Sequence, residues 1–275
     1  MHRSYSPVGV GRGGWATPYG DPVTVSSPAW PDLRVVETTG STNSDLAAVA
    51  RAGGAAGTAL VAWEQTGGRG RLARQWSSPP GTSASISVLL RPDRPRDEWG
   101  VLPLVTGLGV VDGVERLGVE AVLKWPNDVL LPGDENHKVC GILAEMVGPD
   151  PYAVVVGVGL NIGQTREQLP VETATSLRLA GADVTREVAV SAVLDGMGEA
   201  FLRWERGGWR GLATAYAERC TTIGREVRVE LPAGGAVTGT AAGITGDGRL
   251  RLRTAVGEQA YAAGDVHHVR PAAWH

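Results

Sequence analysis

Hydrophobic and polar positions from Leu33 onward alternate between two periods, one for strands and one for helices. Leu33–Thr38 reads as a short strand, and Ser41 or Thr42 caps a helix that runs to about Ala52. Thr58–Gln65 is an apolar strand followed by a Gly/Arg loop at 66–75, and Ser83–Leu90 alternates small polar with aliphatic positions. The pattern predicts a long helix over Asp97–Leu117, then Val122–Trp125 and Asp128–Leu131 on either side of a Pro-Asn turn. His137–Val147 and Tyr152–Ile162 are the two best strand candidates. A helix begins near Thr185, with Val190, Val193, Leu194, Met197, Phe201 and Trp204 on one stripe, and a second covers about Gly208–Arg219. Beyond Cys220 the texture changes to short strands joined by Gly and Asp-Gly turns: Ile223–Leu231, Ala236–Ile244, Arg249–Arg253, Gln259–Ala262 and Val266–Val269.

This pattern predicts an α+β fold, a mixed β-sheet with flanking helices over residues 33–220. A small C-terminal SH3-like β-barrel is expected over 221–275. Residues 1–32, rich in Gly, Pro and Ser, read as a disordered or loosely packed tail whose Trp15 and Trp30 dock on the body. No internal repeat of useful period is present.

Composition narrows the function classes. The chain has 275 residues, 43% hydrophobic and 20% charged, an ordinary globular balance. No apolar run reaches membrane-spanning length and the N-terminus lacks an apolar secretory segment, so a cytoplasmic protein that engages no membrane is expected. Cys140 and Cys220 make neither a disulfide framework nor a metal knuckle. A net charge of −3 argues against a nucleic-acid partner. Lysine is scarce: of 26 basic residues only Lys124 and Lys138 are Lys. Asn43, Asn127, Asn136 and Asn161 are the only asparagines. A lysine that survives an arginine-biased background marks a place where a guanidinium fork fails and a compact ammonium is needed. Lys124, Asn127, Asn136 and Lys138 cluster within one short stretch.

Three motifs carry chemistry. The loop Gln65-Thr-Gly-Gly-Arg-Gly-Arg-Leu-Ala-Arg-Gln-Trp76 sets arginines among glycines after a strand, so backbone and guanidinium groups can both close on an anion. A solvated hairpin tip is the plain alternative. Lys124-Trp-Pro-Asn-Asp128 offers the hard oxygens of Asn127 and Asp128, suited to Mg²⁺, and Lys138 is placed to point one positive charge into the same cleft. Gly157-Val-Gly-Leu-Asn161 lacks the spacing and following helix of a dinucleotide fingerprint, and reads instead as a strand end presenting Asn161 to a cleft. The five histidines show no ligand spacing outside the adjacent His267-His268, and no nucleophile elbow is present. Cys140 reads as a packed strand residue.

Gly40-Ser-Thr-Asn43, the Gln65–Trp76 loop, Lys124–Asp128, Lys138-Val-Cys-Gly-Ile-Leu-Ala-Glu145 and Gly157–Asn161 occur in an order that resembles the biotin protein ligases. The resemblance covers roughly residues 33–270 and implies a class II synthetase-like catalytic domain. It also implies ATP-dependent attachment of biotin to one lysine of a biotin carboxyl carrier domain of acyl-CoA carboxylases. Biotinoyl-5′-AMP is the implied intermediate, with pyrophosphate and then AMP released. Lys138, Arg71 and Asp128 match catalytic positions. Ser41, Thr42, Asn43, Gln65, Gly68, Arg69, Lys138 and Gly141 match positions around biotin. Arg69, Arg71, Arg74, Trp76, Lys124, Asn127 and Asn161 match positions around ATP and the adenylate, and Asn127 with Asp128 a Mg²⁺ position. Ala73, Val139 and Cys140 depart from the usual pattern, the first at a loop glycine. The short N-terminal stretch is expected to hold no winged helix, as in the monofunctional type, and the protein to be a monomer or homodimer. A lipoate or octanoate ligase is the second reading, and a non-catalytic module that holds biotinoyl-AMP the third.

Overall fold

The computed structural model describes residues 24–71, 74–76, 80–148, 152–231, 234–262 and 264–268. Most of the N-terminal stretch with Trp15, as well as Ala73 and the residues after His268, lies outside them. Trp30 does dock on the body: its indole N–H donates to the Leu194 carbonyl at 2.9 Å and its ring meets Phe201 edge-on.

Seven strands make the larger sheet: β1 (Asp32–Thr39), β2 (Thr58–Gln65), β3 (Ser83–Leu90), β4 (Val122–Lys124), β5 (Asp128–Leu131), β6 (His137–Val147) and β7 (Ala153–Asn161). Their order across it is β1-β2-β3-β7-β6-β5-β4. Only β1 and β2 run parallel, as the intervening helix α1 (Thr42–Arg51) requires; the other neighbours are antiparallel. The Ser41 hydroxyl accepts from the Ser44 N–H and caps α1.

The two faces of this sheet are filled differently. On one, helices α2 (Leu102–Glu115) and α3 (Arg186–Gly207) cover a large core that takes Ile86, Val88, Val154, Val156, Val158 and Leu160 from the central strands. The helices cross closely: a Cβ at Gly109 would collide with the Gly196 carbonyl. On the other face α1 sets Leu46 and Ala50 against Leu60, Leu89, Val147 and Val155 in a small cluster, and beside it part of that face opens into a cleft.

The predicted helix over Asp97–Leu117 begins late. Arg96–Val101 is a 3₁₀ turn, and α2 starts where Pro103 falls in the first turn, where a residue without an N–H is tolerated. Gly208, at φ 63°, ends α3, and the second predicted helix is divided at Leu212, φ −115°, into a 3₁₀ turn at Trp209–Gly211 and α4 (Ala213–Arg219).

Strands β8 (Glu226–Glu230), β9 (Ala236–Ile244), β10 (Leu250–Thr254), β11 (Gly257–Tyr261) and β12 (Asp265–His268) form an SH3-like antiparallel sheet ordered β11-β10-β9-β8-β12. Its outer strands β11 and β12 are not paired with each other among the described residues. The smaller sheet is stitched to the larger one at the Pro-Asn turn. The Trp125 N–H donates to Thr222 Oγ1 at 3.1 Å and its indole N–H to the Gly248 carbonyl at 3.1 Å. Among the described residues no helix is long and apolar enough to cross a membrane.

Candidate functional site

The open part of the α1 face owes its space to small residues in register. Ser85, Gly159, Gly141 and Asp128 lie on one row across β3, β7, β6 and β5, and Ser87, Gly157 and Leu143 on the next. A Cβ at Gly157 would strike the Asn43 amide, and one at Gly159 the Trp76 indole. The missing side chains therefore make a floor on which other groups lie. The cleft holds about 120 Å³, and the Arg69–Arg71 loop walls it from a second cavity of about 530 Å³ beside Pro126, Leu143 and Glu145.

At one end, polar groups converge from α1. Gln65 Oε1 accepts from the Thr42 N–H at 2.9 Å and from its hydroxyl at 3.1 Å. The Ser87 hydroxyl lies 2.7 Å from Thr42 Oγ1 and 2.6 Å from Asn43 Oδ1. Asn43 Nδ2 donates to Glu145 at 2.7 Å, leaving a wall with fixed donors and acceptors. Ser41 lines the same wall. Gly68 lies behind it, where the Trp76 N–H donates to its carbonyl at 3.0 Å and closes the loop into a hairpin.

Cations gather at the other end, each opposite an acceptor. Lys138 Nζ is 2.7 Å from Asp128 Oδ1 and 5.6 Å from the centre of the Trp76 ring. Arg71 donates to Asn127 Oδ1 at 3.1 Å and to the Gly264 carbonyl at 3.3 Å, while Asn127 Nδ2 donates to the Ile142 carbonyl at 2.9 Å. Arg74 pairs with Asp265, and Arg69 reaches Glu145 at 3.3 Å and the Ser44 hydroxyl at 3.0 Å. Burial pushes the Arg71 and Lys124 pKa values down, while the nearby Asp128 carboxylate pulls both back up. This end can neutralise anionic oxygens at fixed points before a ligand arrives, and it is rich enough in positive charge for two anions.

Ser41, Thr42, Asn43, Gln65, Arg69, Arg71, Arg74, Trp76, Asn127, Asp128, Lys138 and Gly141 all line this one cleft. Lys124 does not; it stands behind, as the cross-strand neighbour of Asp128. Asn161 is not among the lining residues either. Its side chain is buried, with Nδ2 donating to the Thr175 carbonyl at 2.9 Å and Oδ1 accepting from Gln164 at 3.0 Å. It braces the segment that runs past Lys138, whose N–H donates to the Thr173 carbonyl at 2.8 Å, and presents nothing to the cleft. Of the expected Mg²⁺ pair, Asn127 Oδ1 accepts from Arg71 at 3.1 Å and Asp128 Oδ1 lies 2.7 Å from Lys138 Nζ. Cys140 is fully buried and desolvation raises its thiol pKa far, so it is inert packing.

Sequence reading assigned nothing to Ser85, Ser87 or Asp265, and no role to Glu145. The alternating serines of Ser83–Leu90 were a usable signal for the first two. Glu145 and Asp265 meet their arginines only through tertiary contact.

Two family models match parts of the chain, the Biotin/lipoate A/B protein ligase family over residues 37–161 and the Biotin protein ligase C terminal domain over 222–269. The biotin–[acetyl-CoA-carboxylase] ligase of Mycobacterium tuberculosis is 41% identical over 88% of this chain and 90% of its own length. The protein of the same name from Paracoccus denitrificans is 34% identical over 83% of this chain and 97% of its own. Among solved structures, the biotin protein ligase of Aquifex aeolicus in complex with biotin and ATP superposes with a TM-score of 0.74 at 30% identity. That match covers 88% of this chain and 100% of the other.

Proposed function

This chain belongs to the biotin protein ligase family of amide-forming ligases, and we propose that it joins biotin to one lysine of a biotin carboxyl carrier domain at the expense of ATP. The observation that carries this reading is the cleft itself. A polar wall of Thr42, Asn43, Gln65 and Ser87 lies over a glycine floor, and Lys138, Arg71 and Arg74 converge beside it. A neutral ureido ring matches the wall, which offers both donors and acceptors. A carboxylate and a triphosphate match the cationic end.

In the first step a biotin carboxylate oxygen attacks the α-phosphorus of ATP. The bond to the bridging oxygen breaks, pyrophosphate leaves and biotinoyl-5′-AMP remains. Lys138 bridges the two anions, its ammonium held in the cleft by Asp128. Its compactness matters because a guanidinium would not sit between two closely spaced oxygens. Arg69 and Arg71 form the wall over the mixed anhydride and keep water from it, Arg71 anchored on Asn127 and Gly264. Ser41, Gly68 and Gly141 complete the biotin end, Trp76 and Arg74 the adenylate end. Lys124 adds positive potential from behind Asp128. In the second step the neutral ε-amine of the carrier lysine attacks the acyl carbon, the C–N bond forms, and AMP leaves with the C–O bond electrons. Asp128, the carboxylate nearest Lys138, is placed to take the amine's proton. Residues 33–220 form the ligase unit in this reading, and 221–275 a unit that backs it through Trp125.

The test is carrier labelling. Incubation with biotin, ATP and an isolated carrier domain is expected to place one biotin on one lysine, read by intact-mass and peptide spectrometry. An unlabelled carrier, with folded protein, would overturn the reading.

A further inference from the structure

The smaller sheet reaches into the cleft with more than backbone. Asp265 opens β12, next to Gly264, whose carbonyl accepts from Arg71, and its own carboxylate pairs with Arg74. The Asp265 side chain is 14% exposed where Arg74 is 61% exposed, so the acid is fixed by its strand and the arginine is the movable partner. Asp265 also lines the cleft. A guanidinium fork fits a carboxylate and a phosphate in the same way, and one fork does not hold both without bringing the two anions together.

We propose that Asp265 is a positioning residue of the nucleotide end: its carboxylate is the counter-ion of Arg74 in the free cleft, and a polyphosphate must take that guanidinium over. The C-terminal sheet thereby sets the affinity for the nucleotide. Glu230, Asp265 and His267 also bring one ligand atom each within 4.8 Å of one another. A metal ion there would compete with Arg74, which already neutralises Asp265.

The inference rests on the cleft binding ATP, so the experiment separates the two. Asp265→Asn keeps the shape and removes the charge. It is expected to lower KM for ATP about two- to fivefold in biotin-dependent pyrophosphate exchange, the scale of a partly solvated ion pair. Arg74→Ala is expected to raise that KM, and adding Asp265→Asn to Arg74→Ala to change it no further, since the partner is gone. A purely structural Asp265 would instead lower kcat or Tm in both backgrounds. Inorganic tripolyphosphate titrated calorimetrically gives an independent reading, with tighter binding to Asp265→Asn than to the wild type. The proposal is overturned if Asp265→Asn weakens polyphosphate binding, leaves it unchanged, or shifts it equally with Arg74 removed. Loss of ATP exchange in the wild type, with tripolyphosphate still sensing Asp265, would overturn the ligase reading alone.

Discussion

Strand β7 has two halves on one face of the sheet, and they do opposite things. Ala153 and Val155 close against α1 with Leu89 and Val147, whereas Gly157 and Gly159, two and four positions on, leave a floor for Asn43 and Trp76. The other face of the same strand never changes: Val154, Val156, Val158 and Leu160 all enter the core under α2 and α3. The fold is thus supported along the whole strand from one side, and its other side is free to be core at one end and binding floor at the other. Neighbouring strands repeat the switch, from Leu89 to Ser87 and Ser85 on β3 and from Val147 to Leu143 and Gly141 on β6. Stability and chemistry are separated by register on a single face.

The largest expected effect falls at the cationic end of the floor. Lys138→Ala should slow adenylate formation by about 10²-fold or more, the scale of losing one preorganised charge stabiliser. Lys138→Arg should fail as well, measured as single-turnover adenylation. Near-normal rates in either variant would remove Lys138 from the chemistry.

The comparison itself is tested by a pair. Gly159→Val should raise KM for ATP about tenfold while leaving the melting temperature close to wild type, because the added side chain meets the movable Trp76 indole. Val155→Ala should do the reverse, costing about 1–3 kcal/mol of stability from the closed cluster with little change in KM. If both variants change the same quantity, the two halves are not separate.

A smaller effect concerns the wall. Arg71→Gly removes the bonds to Asn127 and Gly264, so biotinoyl-AMP should escape and label bystander lysines several-fold above the wild-type background. Mass spectrometry of an added neutral protein reads it, and labelling at the wild-type level would assign the wall to another residue.

The smallest effect is at the seam between the sheets. Burial pushes the His268 pKa down from 6.5 to about 4, and Lys124 and Arg225 add repulsion. As pH falls the unfolded chain takes up that proton first, so the His268 contribution to stability is level above about pH 6.5 and declines between there and about pH 4. Solvent still reaches the ring, so the decline is modest. Thermal melts between neutral pH and about pH 4.5 should show a smaller loss for His268→Asn than for the wild type. Equal losses would mean the ring titrates normally.

Much of this was legible along the chain. The bounds of β2, β3, β6 and β9 follow from apolar runs flanked by Gly or Pro, and Ser41 and Thr185 mark the starts of α1 and α3. The neighbourhood of Lys138, Asn127 and Asp128 was visible because lysine is scarce in this chain. Asn161 lies off the cleft lining for a physical reason. It shares a face with Gly157 and Gly159, but the segment from Gln164 to Ser176 closes over that row, which strand parity does not reveal. The acids opposite Arg69 and Arg74 were hidden because tertiary folding alone brings residues so far apart in sequence together. The late start of α2 has a sequence mark in Pro103, which suits a first turn and not a helix interior.

The most direct measurement is acid-dependent exchange of pyrophosphate into ATP by the purified protein, with biotin, lipoate and octanoate offered separately. Exchange with biotin alone is expected, since the cleft pairs a polar wall for a ureido ring with a cationic end for two anions. Exchange driven by lipoate or octanoate and not by biotin, or no exchange with any acid by folded protein, would contradict it.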